Sequence, residues 1–137
     1  MHVVQTEWND GMAFTSTISD HKIIIDAEEE FGGKNKGPIP KPLVLTALCG
    51  CTGMDVVSLL RKMRVDFTGC KITAKAEIAD EHPKVYTKID LLYEFKGKDL
   101  PPDKLKKAVD LSQERYCPVS AMLRKACKIS YTIKVVE

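Results

Sequence analysis

The fold of this chain is decided by one stretch, PLVLTALCGCTGMDVVSLL, which runs from Pro42 to Leu60. Asp55 is its only charged residue, and a basic segment at 61–64 ends it. Such a run predicts a helix that is apolar on nearly all sides, which other elements normally wrap. A membrane span is the alternative, but a leading proline, two interior glycines and a carboxylate make the run a poor one. We therefore predict a long buried central helix and no membrane partner.

The residues before this helix alternate and turn like antiparallel strands. Strand-forming residues at 3–8, 12–18 and 23–25 are separated by an Asn-Asp-Gly turn and a Ser-Asp turn. Asn-Asp-Gly between β-formers is a good hairpin signal. From Glu28 to Lys41 the composition changes to acids, glycines, lysines and prolines, which is typical of a mobile surface loop. This loop is a candidate lid over a site.

Two strands and two helices are predicted after the central helix. Apolar and polar side chains alternate over 70–78 and over 85–95, with a turn between the two runs. A Pro-Pro-Asp sequence at 101–103 opens one helix, and a second runs from about Pro118 to Lys125. The chain closes with a strand at 129–136. The sequence therefore predicts a single α+β domain over residues 1–137, dominated by antiparallel sheet.

The composition excludes several classes of function. The 137 residues are 44% hydrophobic and 29% charged, which places the chain in the globular class at the size of one domain. The formal net charge is only +2, and the lysines are mixed with acids throughout. Without a concentrated basic face, there is no electrostatic reason to expect a nucleic-acid partner.

The chemically informative residues are five cysteines: Cys49, Cys51, Cys70, Cys117 and Cys127. An odd count, no CxxC and no secretory leader speak against an extracellular disulfide framework and favour a reducing cytoplasm. The three histidines lie far apart without paired ligand spacing, so we predict no metal site.

The positions of the cysteines separate them into groups. Cys70 and Cys127 occupy apolar positions and are predicted to be small core residues. Cys49 and Cys51 lie two residues apart on a helix and point about 200° away from each other, so at most one faces a given pocket. Periodicity does not decide which one. Cys117 directly precedes a helix-opening proline, where thiolates are stabilised, although a small residue at a tight turn fits the spacing equally well.

Two cysteine-bearing motifs point to a known family. The first is GPIPKPLVLTALCGCT at 37–52, and the second is CPVS, which begins at Cys117. Together they resemble the OsmC/Ohr family of osmotically inducible and organic-hydroperoxide-resistance proteins. The segments TGMDVVSLLRKMR at 52–64 and LSQERYCPVSAML at 111–123 look closest to its YhfA-like branch. The resemblance covers nearly the whole chain.

The resemblance implies an intertwined homodimer, with antiparallel sheets packed around the central helix. It also implies a thiol-dependent peroxidase that acts in oxidative stress and has no bound cofactor. By the resemblance, Cys51 attacks an organic hydroperoxide and becomes a sulfenic acid, and Cys117 resolves it as a disulfide. A dithiol such as dihydrolipoamide then reduces the disulfide. This agrees with thiol chemistry, since the reaction needs a thiolate and a nearby second thiol.

One position departs from the family's pattern. Its peroxidase branches carry a glutamate ten residues before the attacking cysteine, paired with a loop arginine. Here that position is Lys41, and the preceding loop has lysines but no arginine. A lysine lowers the pKa of Cys51 by its charge, without the planar fork of an arginine, so Lys41 is a candidate thiolate-stabilising residue. The alternative to turnover is a redox-sensing or small apolar ligand-binding module on the same fold.

Overall fold

Three antiparallel strands form the first sheet of the computed structural model, which describes all 137 residues. β1 covers Val4–Asp10, β2 covers Ala13–Ile18 and β3 covers His21–Ile25, in the order β1-β2-β3. Positive φ angles at Gly11 and Asp20 reverse the chain in the two short turns. The hairpins predicted from the sequence are confirmed.

One carboxylate organises the segment that follows β3. Asp26 is 3% exposed and accepts hydrogen bonds from the backbone N–H groups of Ala27, Lys34 and Lys36, at 2.8, 3.1 and 3.1 Å. The bonds from Ala27 and Lys36 are the main reason that the pKa of Asp26 is lowered. Glu29–Phe31 forms a short 3-10 helix within this segment. The predicted surface loop is therefore held in a defined conformation.

The long helix α1 covers Leu43–Lys62, as the apolar run predicts. By length and composition alone it is long and apolar enough to cross a membrane. A stripe of residues four apart is buried along it: Leu48, Thr52, Val56 and Leu60. Its other faces are half-buried or exposed, with Met54 77% exposed. The prediction that α1 is buried on nearly all sides is therefore wrong for the single chain, because the surrounding elements cover only this one stripe of the helix.

The second sheet contains three strands in the order β4-β5-β6. β4 (Gly69–Ile78) pairs antiparallel with β5 (Tyr86–Lys96), and β6 (Lys128–Val136) pairs in parallel with β5. Alternate side chains of β5 are buried: Ile89, Leu91, Tyr93 and Phe95. Three of the four strand pairs in the chain are antiparallel, so the predicted dominance of antiparallel sheet is confirmed, and the β5–β6 pair is the parallel exception. The long helical connection between these strands returns the chain in the same direction, which parallel pairing requires.

That connection contains more than the two predicted helices. α2 covers Pro102–Leu111 and α3 covers Pro118–Arg124. Between them lies a π-helical segment, Ser112–Tyr116, called the π-turn below. It closes with a hydrogen bond of 2.8 Å from the Cys117 N–H to the Ser112 carbonyl. This wider turn was not predicted, and π-turns within helices are frequent at functional sites.

The chain comprises two compact units, Met1–Thr46 and Ala47–Glu137. The first contains β1 to β3 and the segment around Asp26. The second contains most of α1 and all of the elements from β4 to β6. A single domain over the whole chain stays a prediction.

Candidate functional site

Cys117 directly precedes α3, at the helix N-terminus where the following proline predicts it. It is the N-cap residue of the helix, and Pro118 is the first helical residue. The Cys117 sulfur accepts a hydrogen bond from the Ser120 N–H at 3.3 Å. The side chain is buried, with 3% of the residue exposed. Cys117 is therefore held from both sides, because its own N–H closes the π-turn and its sulfur accepts from the first turn of α3.

Cys51 of α1 meets Cys117. The Cys117 thiol and the Val119 N–H both lie close enough to Cys51 to shift its pKa, in opposite directions. The first turn of α3 thus lies beside Cys51, and it also contacts the Cys117 sulfur. Of the two cysteines in the C-x-C motif, Cys51 is the one placed against Cys117, which periodicity alone did not decide.

The surroundings of Cys51 favour its protonated form. Burial raises the pKa of Cys51, and the interaction with the neighbouring Cys117 thiol raises it further. The Val119 N–H acts in the opposite direction, because it stabilises the thiolate. The Asp55 carboxylate, one turn along α1, also raises the pKa of Cys51 by charge repulsion. The outcome is a thiol whose pKa lies above its ordinary value.

The other three cysteines, Cys49, Cys70 and Cys127, are free and half-buried. Burial raises the pKa of Cys49 and of Cys70. The core positions predicted for Cys70 and Cys127 are thus only partly covered. Cys70 belongs to β4, an edge strand, and Cys127 lies in the turn before β6, which is the opposite edge strand.

A chain of hydrogen bonds connects the two cysteine-bearing segments; we call it the buried chain. It comprises Asp55, Thr52, Tyr93, Ser112, Gln113 and Arg124. The Thr52 hydroxyl lies 2.7 Å from the Tyr93 hydroxyl and 2.7 Å from the Ser112 hydroxyl. Ser112 in turn donates to the Asp55 carboxylate at 3.0 Å. Thr52, Tyr93 and Ser112 are all 0% exposed, so these hydrogen bonds form without competition from water.

Gln113 completes the buried chain from the π-turn. Its amide nitrogen donates to the Tyr93 hydroxyl at 2.9 Å and to the Thr52 hydroxyl at 3.2 Å. The Arg124 guanidinium donates to the Gln113 backbone carbonyl at 2.9 Å and to its side-chain oxygen at 3.2 Å. Burial raises the pKa of Tyr93 to about 12, so its phenol is neutral at physiological pH.

Sequence reasoning missed the buried chain, although three of its members left a signal. Thr52 interrupts the apolar run of α1, Tyr93 stands among the apolar residues of β5, and Ser112 lies on the apolar side of the predicted helix. A polar residue at a core position needs a hydrogen-bond partner, so these three pointed to a buried network. Gln113 is not at a position that α-helical periodicity predicts to be buried, because the π-turn places it inward.

Ser120 carries a fully buried hydroxyl with no hydrogen-bond partner. We expect Ser120→Ala to raise the free energy of unfolding by about 1 kcal/mol, because an unpaired buried hydroxyl costs roughly 1–3 kcal/mol. Urea unfolding of the reduced protein measures this. Ser16→Ala is the control, since the buried Ser16 hydroxyl accepts a hydrogen bond from Thr6 at 3.1 Å, and its loss should destabilise. A Ser120→Ala protein less stable than wild type would contradict the prediction.

Known proteins share this architecture. A family model described as OsmC-like protein matches residues 33–132. Protein YhfA of Escherichia coli K12 is 37% identical over 133 residues, which is 96% of each chain. The crystal structure of a hypothetical protein from Aquifex aeolicus is 33% identical, covers 100% of this chain and 98% of its own, and has a TM-score of 0.84. The organic hydroperoxide resistance protein OhrB of Bacillus subtilis, 18% identical over 98% of each chain, has the same fold with a TM-score of 0.66.

Proposed function

The chain belongs to the OsmC-like protein family, and from that premise we propose that it is a thiol-dependent reductase of organic hydroperoxides with a role in oxidative stress. The observation that carries the proposal is the close placement of two thiols, Cys51 and Cys117, near enough for one to shift the pKa of the other. The name of the Bacillus subtilis protein with this fold, an organic hydroperoxide resistance protein, supports the class of substrate. The α+β fold with two sheets and a long central helix is that of the family.

In this proposal Cys51 attacks and Cys117 resolves. The Cys51 thiolate attacks the terminal oxygen of the hydroperoxide, and the O–O bond breaks. Cys51 becomes a sulfenic acid, and the alkoxide leaves as the alcohol after it takes a proton. The order is supported by exposure: Cys51 is half-buried, whereas Cys117 is 3% exposed and meets an incoming molecule less readily.

The second half of the cycle returns both thiols. The Cys117 thiolate attacks the Cys51 sulfur, forms the disulfide and releases hydroxide, which leaves as water. An external dithiol of the dihydrolipoamide kind then reduces the disulfide and is itself oxidised to a disulfide. All the oxidising power comes from the hydroperoxide, so no bound cofactor is needed.

Lys41 is proposed as the residue that stabilises the thiolate. It stands ten residues before Cys51 in the family's motif and lies in the turn that begins α1, where its carbonyl accepts the Val44 N–H at 3.1 Å. A positive charge near a thiol lowers its pKa. In this role Lys41 opposes the effect of Asp55 on Cys51.

We propose that the protein works in the cytoplasm as an intertwined homodimer. Large apolar side chains are exposed in both units of the single chain, among them Trp8 at 64%, Met54 at 77% and Met122 at 63%. Soluble monomers rarely expose large apolar patches, so burial of these side chains against a second copy of the chain is consistent with the proposal. Light scattering should give twice the monomer mass of 15.3 kDa. A monomer at micromolar concentration would contradict the dimer.

The raised pKa of Cys51 favours a second candidate function. A thiol kept protonated reacts slowly with peroxide, because the thiolate is the nucleophile. A protein of this kind would oxidise once and report the event, as a redox sensor, or would hold a small apolar ligand without turnover.

One experiment separates the two candidates. The protein is mixed with tert-butyl hydroperoxide and excess dihydrolipoamide, and peroxide consumption is followed together with free thiols. Peroxidase function predicts many turnovers and, without the dithiol, an intramolecular Cys51–Cys117 disulfide with loss of two thiols. Consumption of a single equivalent despite excess dithiol would favour the sensor. No oxidation of either cysteine would contradict both the peroxidase and the sensor and would leave the binding of a small apolar ligand.

A further inference from the structure

The buried chain has a single possible order of donors and acceptors. The Asp55 carboxylate only accepts, so Ser112 gives its one hydroxyl hydrogen to Asp55. Ser112 must then accept from Thr52, and Thr52, with its one hydrogen used, must accept from Tyr93. The two hydrogens of the Gln113 amide go to Tyr93 and Thr52. Every hydroxyl therefore donates once and accepts at least once.

Arg124 fixes the outer end of this order. Its guanidinium has only donors, so it orients the Gln113 side chain with the oxygen outward and the amide nitrogen toward Thr52 and Tyr93. A second bond from Arg124 holds the backbone carbonyl of the same residue. A network in which every buried member is satisfied favours one arrangement of the segments that it joins.

The segments that the buried chain joins are those that carry the two thiols. Thr52 is the residue after Cys51 in α1, and Gln113 lies in the π-turn that ends at Cys117. Gln113 is 4% exposed and contacts neither sulfur in the hydrogen bonds that it makes. Its two amide hydrogens instead connect the π-turn to α1 at Thr52 and to β5 at Tyr93.

We propose that Gln113 is a positioning residue, which raises the effective concentration of Cys117 at Cys51 and so sets how readily the two form a disulfide. The inference rests on the proposed redox pair, but not on a hydroperoxide as the oxidant. Holding two reacting groups in place favours bond formation because little further entropy is lost when the bond forms. Without the Gln113 bonds, the reduced pair samples more separations and closes less often.

The test is an equilibrium with oxidised and reduced dithiothreitol, in which Cys51–Cys117 disulfide is quantified by alkylation and mass spectrometry. Gln113→Met keeps the size of the side chain and removes both donors. We expect its equilibrium constant for disulfide formation to be at least about tenfold lower than that of wild type, which is a potential about 30 mV more oxidising. Thr52→Val removes the acceptor of one of these bonds, so the equilibrium constant should fall in this variant as well. Thr52→Val replaces Gln113→Met in the test if Gln113→Met does not fold.

Two controls separate positioning from general stability. Glu114→Gln changes an exposed neighbour in the π-turn and should leave the equilibrium constant unchanged. Leu105→Ala removes a buried side chain of α2 outside the buried chain, so it should lower stability without changing the equilibrium.

Three results would overturn the inference. They are an unchanged constant in a folded Gln113→Met or Thr52→Val protein, an equal fall in Leu105→Ala, and a wild-type protein that forms no Cys51–Cys117 disulfide in any mixture. Loss of hydroperoxide turnover with this equilibrium intact would instead contradict only the proposed function.

Discussion

Cys51→Ser is expected to abolish hydroperoxide turnover, with kcat/KM lowered by about 10³-fold or more, since loss of an attacking nucleophile has effects of this order or larger. A serine hydroxyl is not ionised near neutral pH and cannot hold the sulfenic acid on which the cycle depends. The measurement is consumption of tert-butyl hydroperoxide in the presence of excess dihydrolipoamide.

Cys117→Ser should separate the two half-reactions. The first attack remains, because Cys51 keeps its thiol, but the sulfenic acid finds no second sulfur and persists. Dimedone should therefore trap Cys51 in this variant and only weakly in wild type. Cys49→Ser is the matched control, since Cys49 lies on the same helix but is not paired with Cys117, and it should keep turnover. Undiminished consumption by Cys51→Ser would refute the assignment.

Local chemistry in the sequence marks one of these two residues, Cys117, and the resemblance supplies the other, Cys51. A cysteine followed directly by a helix-opening proline predicts an N-cap, and the structure has Cys117 there with its sulfur accepting the Ser120 N–H. The resemblance paired Cys51 with it, and the effect of the Cys117 thiol on the pKa of Cys51 agrees with that pairing. The hairpins, α1 and the final strand were likewise predictable, since turn residues and apolar periodicity encode them locally.

What the sequence could not predict depends on contacts between distant segments. Parallel pairing of β6 with β5 follows from the path of the whole connection, not from any residue in β6. The order around Asp26 comes from amides up to ten residues away, so composition alone suggested a mobile loop. The inward position of Gln113 depends on the π-turn, in which the hydrogen bonds skip one residue more than in an α-helix.

The extent to which α1 is covered shows the same limit. Its composition predicts burial on all sides, yet the single chain buries only a stripe of residues four apart. An apolar run indicates that a surface will be buried, but not whether the residues that bury it belong to the same chain. The apolar residues left exposed on α1 therefore support the proposed dimer and leave the prediction of an apolar helix intact.

The reactivity of Cys51 is expected to rise steeply with pH. Burial, Cys117 and Asp55 raise the pKa of Cys51, so near pH 7 the thiol is almost entirely protonated. Below its pKa, the thiolate fraction of any thiol increases about tenfold for each pH unit. Alkylation of Cys51 by iodoacetamide, followed by mass spectrometry from pH 6 to 10, should therefore climb by about that factor per unit up to pH 8. A plateau already reached near pH 7 would show a lowered pKa and contradict the prediction.

Asp55→Asn should move this profile toward lower pH. The substitution removes the negative charge that disfavours the Cys51 thiolate, while the Asn oxygen still accepts the hydrogen bond from Ser112 and keeps the buried chain. The pKa of Cys51 then falls, a larger fraction is thiolate at pH 7, and both alkylation and hydroperoxide consumption become faster. The rate at high pH, where every thiol is ionised, should change little.

Two further variants show whether the effect is one of local charge. Asp110→Asn removes a carboxylate of α2 that is hydrogen-bonded to Lys106 at 2.5 Å, and it should leave the profile of Cys51 in place. Lys41→Met removes the proposed stabilising cation and should move the profile toward higher pH, opposite to Asp55→Asn. If Asp55→Asn speeds alkylation but not hydroperoxide consumption, the thiolate fraction does not limit turnover. An unchanged profile in Asp55→Asn would mean that burial and Cys117, and not this charge, keep Cys51 protonated.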